Sequence, residues 1–424
     1  MSNHAVQEGK MVHKSATLAI NEALERRLKA GEKVLHLGFG EAGLPVPDFI
    51  LDVLREAAPA NHYAPVTGEM AAREAAAGWF TRRGYPTDYS QILLGPGSKP
   101  LLFAAIMALD GALIIPQPAW VSYAAQAELL GVDTIKVPIG DECGGVPDPR
   151  LLSEAIAQAN HDGVKIGGIL LTLPDNPTGT VASQQDVDAV VEIARVNNLT
   201  IISDEIYADL VYSGEAPSPL KTYPEKTLVT SGLSKNMSLG GWRIGYIRFP
   251  RNDWGDTMRD TLIGIASETW SAMASPMQDV AAYALSEPPE IQEFVTKSKR
   301  LHEIISTAIW QEFVNAGAIC RKPTAAFYIY PDFDPLRDIL AAKGIDTSEK
   351  LAHELLTKHG IGTLQGSAFG DVPEALRLRV ATSLVYGRTN EQRWTAYDSE
   401  DPLELPWIQE SLEFLRDGLA ALRR

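Results

Sequence analysis

The sequence predicts an α/β protein with a large domain, in which a mostly parallel sheet lies between helices, and a smaller α/β domain. Between Ile92 and Tyr246, short apolar runs alternate with helical patterns, which is typical of βαβ units. After Met277 a long, charged helical pattern extends to Phe313, and strand-like and mixed segments follow it. The predicted parts are an N-terminal arm with the first part of the small domain (1–45), the large domain (46–289) and the small C-terminal domain (290–424).

Three apolar runs of the large domain are predicted as strands, at positions 112–116, 168–173 and 199–203. Between the last two, apolar residues recur at helical spacing from Val187 to Ala194, with acidic residues interleaved. This pattern predicts a helix that packs on one face of the sheet and connects two parallel strands.

Composition indicates the general class of the protein. The 424 residues are 45% hydrophobic and 22% charged, as in ordinary globular proteins. The net charge of −16 repels nucleic acids and anionic lipid surfaces, so we expect neither as a partner.

The cysteines and the N-terminus indicate the cellular compartment. Cys143 and Cys320 stand far apart, which argues against a disulfide framework and favours the cytoplasm. Residues 1–14 are predicted as a short polar arm, because they lack the apolar run of a signal peptide.

Two motif matches are interpreted as coincidental. Residues 38–43 fit the dinucleotide-binding pattern G-x-G-x-x-G, but Pro45 and Pro47 follow at once and prevent a long helix from starting there. We therefore expect a glycine-rich loop. A zinc-binding H-E-x-x-H helix would need a second histidine four residues after His353, where Thr357 stands. An amphipathic helix without a metal is expected there.

Several polar residues stand at positions suited to chemistry. Lys235 lies in a turn of small residues, and Arg243 behind it is able to neutralise a phosphate. Asp204 ends an apolar strand, at the edge of a parallel sheet where ligands bind, although an aspartate there also suits a helix N-cap. Tyr207, three residues on, is a hydrogen-bond donor.

Three further segments follow apolar strands or precede a helix. Asn176 belongs to a Pro-Asp-Asn-Pro-Thr-Gly segment that also fits a tight turn. Trp120 follows the strand predicted at 112–116, and its indole is suited to stacking, although most tryptophans are core residues. Ser98 and Lys99 open an apolar helical run, so the helix N-terminus there is a candidate anion site.

Together these residues match the requirements of pyridoxal 5'-phosphate (PLP). That cofactor needs an amine for a Schiff base, an acid for its ring nitrogen, donors to its ring oxygen, an aromatic face and an anion cradle. The candidates are Lys235 for the amine, Asp204 for the acid, Tyr207 and Asn176 for the donors, Trp120 for the face, and Ser98, Lys99 and Arg243 for the cradle.

The order and spacing of these motifs resemble class I aminotransferases, the aspartate aminotransferase-like group of fold type I PLP enzymes. The resemblance runs from Ser15 to Ser383. It implies the roles just given, with Lys235 as the catalytic residue that carries PLP. It also implies that Gly40, Asn176 and Arg377 bind the substrate carboxylate. Tyr63 matches a family tyrosine that reaches the phosphate site of the neighbouring subunit, which implies a homodimer with shared sites.

The resemblance implies a transaminase that moves an amino group between an α-amino acid and a 2-oxo acid by a ping-pong mechanism. Lyases, cyclising synthases and oxidative enzymes share the fold and nearly all of these residues, and they remain the alternative. A regulatory protein without turnover is not favoured, because about fourteen residues before the fold are too few for a helix-turn-helix.

One segment departs from the family pattern. In other family members the chain continues at this point directly into the last helix, so residues 385–407 are predicted as an insertion. Such a segment either lines the substrate entrance or forms a solvated surface excursion. No arginine occurs in 270–277, the region that supplies the side-chain carboxylate clamp of classical aspartate enzymes, so a dicarboxylate preference is not predicted.

Overall fold

A computed structural model describes residues 16–142 and 144–424. The polar arm predicted for residues 1–14, and Cys143, lie outside the described residues. The strands are Leu35–His36 (β1), Ile92–Pro96 (β2), Ala112–Gln117 (β3), Thr134–Pro138 (β4), Ile166–Thr172 (β5), Thr200–Asp204 (β6), Thr227–Gly232 (β7), Ile244–Arg248 (β8), Tyr328–Ile329 (β9), Ile361–Gly362 (β10), Leu364–Gln365 (β11) and Leu378–Ala381 (β12). The α-helices are Ala16–Lys29 (α1), Asp48–Ala57 (α2), Met70–Arg82 (α3), Ser98–Met107 (α4), Val121–Leu130 (α5), Pro149–His161 (α6), Gln184–Val196 (α7), Asp253–Thr269 (α8), Ser275–Ser286 (α9), Pro289–Asn315 (α10), Arg337–Ala341 (α11), Ser348–His359 (α12), Asn390–Asp398 (α13) and Pro406–Leu422 (α14).

The central feature is a seven-stranded sheet in the order β2-β8-β7-β6-β5-β3-β4. Strand β8 runs antiparallel to both of its neighbours, and the other pairings are parallel. The predicted strands correspond to β3, β5 and β6, with ends that differ by one or two residues. The predicted α/β class with a mostly parallel sheet is confirmed.

Helices cover both faces of this sheet because successive side chains of a strand point in opposite directions. Leu113 and Ile115 pack with residues of α4, α5 and α8, whereas Ile114 between them packs with residues of α6 and α7. The helix predicted around 187–194 is α7, which begins after a capping box between Ser183 and Asp186. The sheet is therefore buried on both faces, so a ligand is expected to bind at the ends of its strands.

The remaining elements form a smaller α/β layer beside the large sheet. The charged helical pattern after Met277 contains α10, which has 27 residues. Strands β11, β12 and β9 form a three-stranded antiparallel sheet, and β1 pairs in parallel with β10. The start of the described chain thus lies beside its last third, while the division into domains at 45 and 289 stays a prediction. In the described range, no helix has the length and apolar character needed to cross a membrane.

The segment 385–407 packs on α10. Tyr397 of α13 stacks on Phe294 of α10 with 5.5 Å between ring centroids, and Trp394 contacts both rings edge-on. The indole Nε1 of Trp407 donates to the carbonyl oxygen of Tyr386 at 2.7 Å. These aromatic contacts show that the segment is attached to the small layer by packed side chains, so a solvated excursion is the wrong description.

Replacing Tyr397 with alanine should destabilise the fold by about 2 kcal/mol, because the stacked ring on Phe294 is lost and a partly buried gap remains. Urea unfolding of the purified protein measures this as a lower midpoint. Thr395→Ala, on the exposed side of the same helix, is the matched control and should change stability by less than about 0.5 kcal/mol. Equal midpoints for Tyr397→Ala and the control would contradict the packing role.

Candidate active site

A cavity of about 420 Å³ lies at the carboxyl edge of the parallel strands. Segments that follow β2, β3, β5, β6 and β7 meet there, as expected for an open α/β sheet. The predicted site residues that line it are Gly40, Ser98, Lys99, Trp120, Asn176, Asp204, Tyr207, Lys235 and Arg243. Tyr63 and Arg377 are not among the lining residues.

Lys235 lies in the turn after β7, and its side chain enters the cavity. Its Nζ donates to the carbonyl oxygen of Gly40 at 2.6 Å. Burial lowers the pKa of Lys235 to about 8, and the positive charge of Arg379 contributes to the decrease. The amine is therefore closer to its neutral, nucleophilic form at neutral pH than a surface lysine is.

Asp204, the last residue of β6, lies inside the cavity and does not cap a helix. The hydroxyl of Tyr123 donates to its Oδ2 at 2.8 Å, and the Thr230 hydroxyl lies 3.5 Å from its Oδ1. Burial raises the pKa of Asp204 to about 6. A cationic group placed beside this carboxylate would be stabilised in its charged form.

Tyr207 and Asn176 supply further polar groups to the cavity. The hydroxyl oxygens of Tyr207 and Tyr328 lie 2.8 Å apart in the buried interior. The side-chain oxygen of Asn176 accepts from Nη1 of Arg379 at 3.4 Å. The Asn176 side chain is thus held by the protein and lines the cavity as the sequence predicts.

The predicted anion cradle lies at the N-terminus of α4. Gly97 precedes the helix with φ of 89°, a conformation that glycine adopts without strain. A Cβ there would lie 2.3 Å from Nη2 of Arg243, so the glycine also lets the guanidinium approach the helix terminus. Nζ of Lys99 lies 4.9 Å from the centre of the Trp120 ring, and burial with Arg243 nearby lowers the pKa of Lys99. Cations and free backbone N–H groups therefore converge on one place.

Arg377, which the family resemblance assigns to the substrate carboxylate, lies outside the cavity. Its Nε donates to Asp332 at 2.8 Å and its Nη1 lies 3.4 Å from Asp371, so two acids hold the guanidinium outside the cavity. The cavity instead contains Arg379, two residues further along the same Arg-Leu-Arg sequence.

Arg379 is a buried cation with incomplete pairing. It is 2% exposed, its Nη2 donates to the carbonyl oxygen of Gly38 at 2.6 Å, and its Nε has no partner in the described structure. Its guanidinium lies over the rings of Tyr328 and Phe369, at 5.0 and 5.2 Å from their centres. A buried arginine without a carboxylate partner is suited to an anionic ligand.

Sequence reasoning missed Tyr123, Tyr328 and Arg379. The signal for Arg379 was its position inside the apolar run of β12, because an arginine is seldom buried there without a function. Tyr123 stands three residues after Trp120, at the first turn of α5, and thus faces the same crevice. The predicted Tyr63 is 94% exposed in the single chain.

The residues of the two rejected motifs lie in a loop and in a helix. No helix begins at residues 38–43, and α2 starts only at Asp48, after both prolines. His353 belongs to α12, an ordinary helix capped by Thr347. Among the described residues, no group of three or more histidine, cysteine, aspartate or glutamate side chains is placed to hold a metal ion.

Comparison with known proteins agrees with these motifs. The family profile "Aminotransferase class I and II" matches residues 32–384. The aspartate aminotransferase of Geobacillus stearothermophilus is 31% identical over 381 residues, which cover 87% of this chain and 92% of that protein. The asparagine–oxo-acid transaminase of Streptococcus mutans is 30% identical, with 88% and 94% covered.

Solved structures agree on the fold. The aspartate aminotransferase of Thermus thermophilus, in a complex with maleate, has a TM-score of 0.80 at 24% identity and covers 96% of this chain and 97% of that one. The aspartate aminotransferase of Rhizobium meliloti has a TM-score of 0.80 at 23% identity, with 98% and 99% covered. The family profile and the relatives at 30–31% identity show that the chain belongs to the class I and II aminotransferase family.

Proposed function

We propose that this aminotransferase binds PLP in the cavity, with Lys235 as the residue that carries it, and that it transfers amino groups between an α-amino acid and a 2-oxo acid. The observation that supports this proposal most strongly is the meeting of three charged side chains in one cavity. The buried amine of Lys235, the buried carboxylate of Asp204 and the partly unpaired guanidinium of Arg379 open into the same cavity. The relatives are named transaminases, which favours transamination over elimination, cyclisation or oxidation.

The residues present fit the cofactor. The N-terminus of α4 with Ser98, Lys99 and Arg243 would hold the phosphate, and Trp120 would stack on the ring. When bound, PLP supplies an aldehyde that joins an amino group and a cationic ring that withdraws electrons from the substrate α-carbon. Its electron-withdrawing effect depends on a protonated ring nitrogen, for which Asp204 is the available carboxylate.

Asp204 and Tyr123 act as a pair in this proposal. The Tyr123 hydroxyl donates to Oδ2 of Asp204, and the carboxylate keeps lone pairs that would accept from the ring nitrogen. A cation at that place would offset the burial that raises the pKa of Asp204, and the carboxylate would stay ionised at neutral pH. Asn176 and Tyr207, which line the same cavity, would donate to the ring oxygen.

Lys235 has a second role once a substrate amine has taken its place. Its Nζ would then act as a general base that takes up and returns the proton of the substrate α-carbon. The lowered pKa suits both steps, because a group of pKa about 8 exchanges protons readily near neutral pH.

Arg379 is the proposed site for the substrate α-carboxylate. Its guanidinium offers a fork of N–H donors, and Asn176 and the backbone of Gly40 lie in the same part of the cavity. Aspartate is the first amino donor to test, because it is named in several relatives. Since 270–277 contains no arginine, a second carboxylate would have to bind elsewhere.

We also propose a cytoplasmic homodimer in which Tyr63 reaches the phosphate site of the partner subunit. The exposure of Tyr63 in the single chain supports this arrangement, since a tyrosine ring is suited to an interface. The segment 385–407 does not line the cavity of the single chain. It therefore is not part of the proposed substrate contacts.

Lys235→Ala should abolish covalent attachment of PLP. Borohydride reduction of the PLP-loaded protein should fix one cofactor per wild-type chain and none in the variant, as measured by intact-protein mass spectrometry. Lys221→Ala, a change at an exposed lysine, is the control and should label like the wild type. Labelling of the Lys235→Ala protein to the same extent as the control would refute the assignment.

Attachment of PLP to the cofactor-free protein should accelerate about tenfold per pH unit below about pH 8 and then level off. The neutral amine is the nucleophile, and burial lowers the pKa of Lys235 to about 8. Stopped-flow absorbance between pH 7 and 10 measures the rate. A lysine of ordinary pKa would continue to accelerate to about pH 10.4, and that outcome would show that the cavity does not depress the pKa of Lys235.

Arg379→Ala should lower kcat/KM for amino donors by about 10²–10⁴, because two charge-assisted hydrogen bonds to the carboxylate are lost. Arg377→Ala is the matched control and should change kcat/KM by less than about threefold, since Asp332 and Asp371 hold it outside the cavity. Single-turnover kinetics with aspartate distinguish the two. The reverse ranking would restore Arg377 as the substrate residue.

A further inference from the structure

A pair of buried tyrosines stands at the inner wall of the cavity. Tyr207 and Tyr328 are 3% and 0% exposed, and their hydroxyl oxygens lie 2.8 Å apart. Their rings meet edge-on, with 5.6 Å between centroids and an angle of 84°. The proposed function gives Tyr207 a role at the ring oxygen of PLP, but neither the family motifs considered above nor the comparisons assign one to Tyr328.

The two hydroxyl groups have only two protons between them. If Tyr207 donates to the ring oxygen, its proton is used there, and Tyr328 must be the donor of the bond that joins the pair. The Tyr207 oxygen is the one hydrogen-bond partner that the described structure provides for the Tyr328 hydroxyl. Both protons therefore point one way, from Tyr328 to Tyr207 and from Tyr207 into the cavity.

Tyr328 is held in this position by its strand and by close packing. It lies in β9, where it pairs with Ala381 of β12, the strand that also carries Arg379. A Cβ on Gly40 would lie 2.4 Å from the Tyr328 hydroxyl, so the backbone at residue 40 already touches this oxygen. The guanidinium of Arg379 lies over the Tyr328 ring. A hydroxyl held on these sides has little freedom to turn away from Tyr207.

We propose that Tyr328 is a positioning residue that orients the proton of Tyr207 toward the ring oxygen of PLP and strengthens Tyr207 as a donor. This inference rests on the proposed function. Hydrogen bonds in series polarise one another in a dry interior, so a donor behind Tyr207 makes the Tyr207 O–H more acidic. A stronger donor stabilises negative charge on the ring oxygen, and the bound cofactor then loses its proton at a lower pH.

The visible absorbance of the PLP-loaded enzyme, followed from pH 5 to 10, reports this protonation. Tyr328→Phe should move the titration midpoint up by about 0.5–1 pH unit, the shift expected when one neutral hydrogen bond is removed. Tyr330→Phe is the matched control. Tyr330 lies just past the same strand, and its hydroxyl donates to Asp371 at 2.8 Å instead of facing the cavity, so its midpoint should equal that of the wild type.

A double-mutant cycle tests whether Tyr328 acts through Tyr207. In the Tyr207→Phe background, the change Tyr328→Phe should produce no further shift. An equal shift in both backgrounds would show that Tyr328 acts independently of Tyr207, and no shift in the wild-type background would show that it does not act on the cofactor. Either result overturns the proposal.

A second variant keeps the volume of the side chain. Fluorotyrosine at position 328 is a more acidic donor and should move the midpoint down, opposite to phenylalanine. This opposite sign is not expected from a merely structural role, and a midpoint that stays or rises would contradict the proposal. A wild-type protein without any visible band on loading with PLP would refute the proposed function itself, whereas a normal band with an unshifted Tyr328→Phe variant refutes only the role of Tyr328.

Discussion

Two basic side chains of the cavity donate hydrogen bonds to the backbone carbonyl groups of one short segment. Nη2 of Arg379 donates to the carbonyl oxygen of Gly38, and Nζ of Lys235 donates to that of Gly40, each at 2.6 Å. Neither cation forms a salt bridge with a carboxylate of the described residues. Carbonyl dipoles replace part of the lost hydration but leave the charges in place, so an anionic ligand would offset the electrostatic cost of burying them.

The same segment explains why a dinucleotide-binding pattern occurs in this sequence. A Cβ on Gly38 would lie 2.9 Å from the side chain of Ile20, and one on Gly40 would lie 2.4 Å from the hydroxyl of Tyr328. Glycine is thus required at both positions because other parts of the chain approach the backbone closely. In a nucleotide-binding loop, glycines serve a similar close approach, but to a pyrophosphate at a helix N-terminus. The two kinds of loop share the glycine pattern because both backbones are approached closely, by side chains in this protein and by a pyrophosphate in nucleotide-binding proteins.

Sequence reasoning succeeded where a local rule determines position. Asp204 and Trp120 were placed correctly because residues after parallel strands meet at one sheet edge, and Ser98 because a helix start follows a glycine turn. It failed for Arg377, since the choice between two arginines of the same sequence depends on Asp332 and Asp371, which come from other parts of the fold.

Long-range packing limited the prediction elsewhere too. The segment 385–407 was predicted as an insertion from the family pattern, but its location is set by the contact between Tyr397 and Phe294, which are about a hundred residues apart in sequence. The predicted contact of Tyr63 involves a second chain, so the position of this residue in one chain does not reveal its partner. No local pattern encodes either kind of contact, whereas strand periodicity is local and predicted β3, β5 and β6.

The directions of two pKa shifts indicate what the cavity is built to bind. If Lys235 and Asp204 neutralised each other, the pKa of the lysine would rise and that of the aspartate would fall. Instead the pKa of Lys235 falls to about 8 and that of Asp204 rises to about 6, because burial outweighs their mutual attraction. Asp204 is therefore suited to a cationic group, the lowered pKa of Lys235 favours its reactive neutral amine, and Arg379 is suited to an anion. These properties fit the proposed ligands, with a cationic ring nitrogen beside Asp204 and a substrate carboxylate on Arg379.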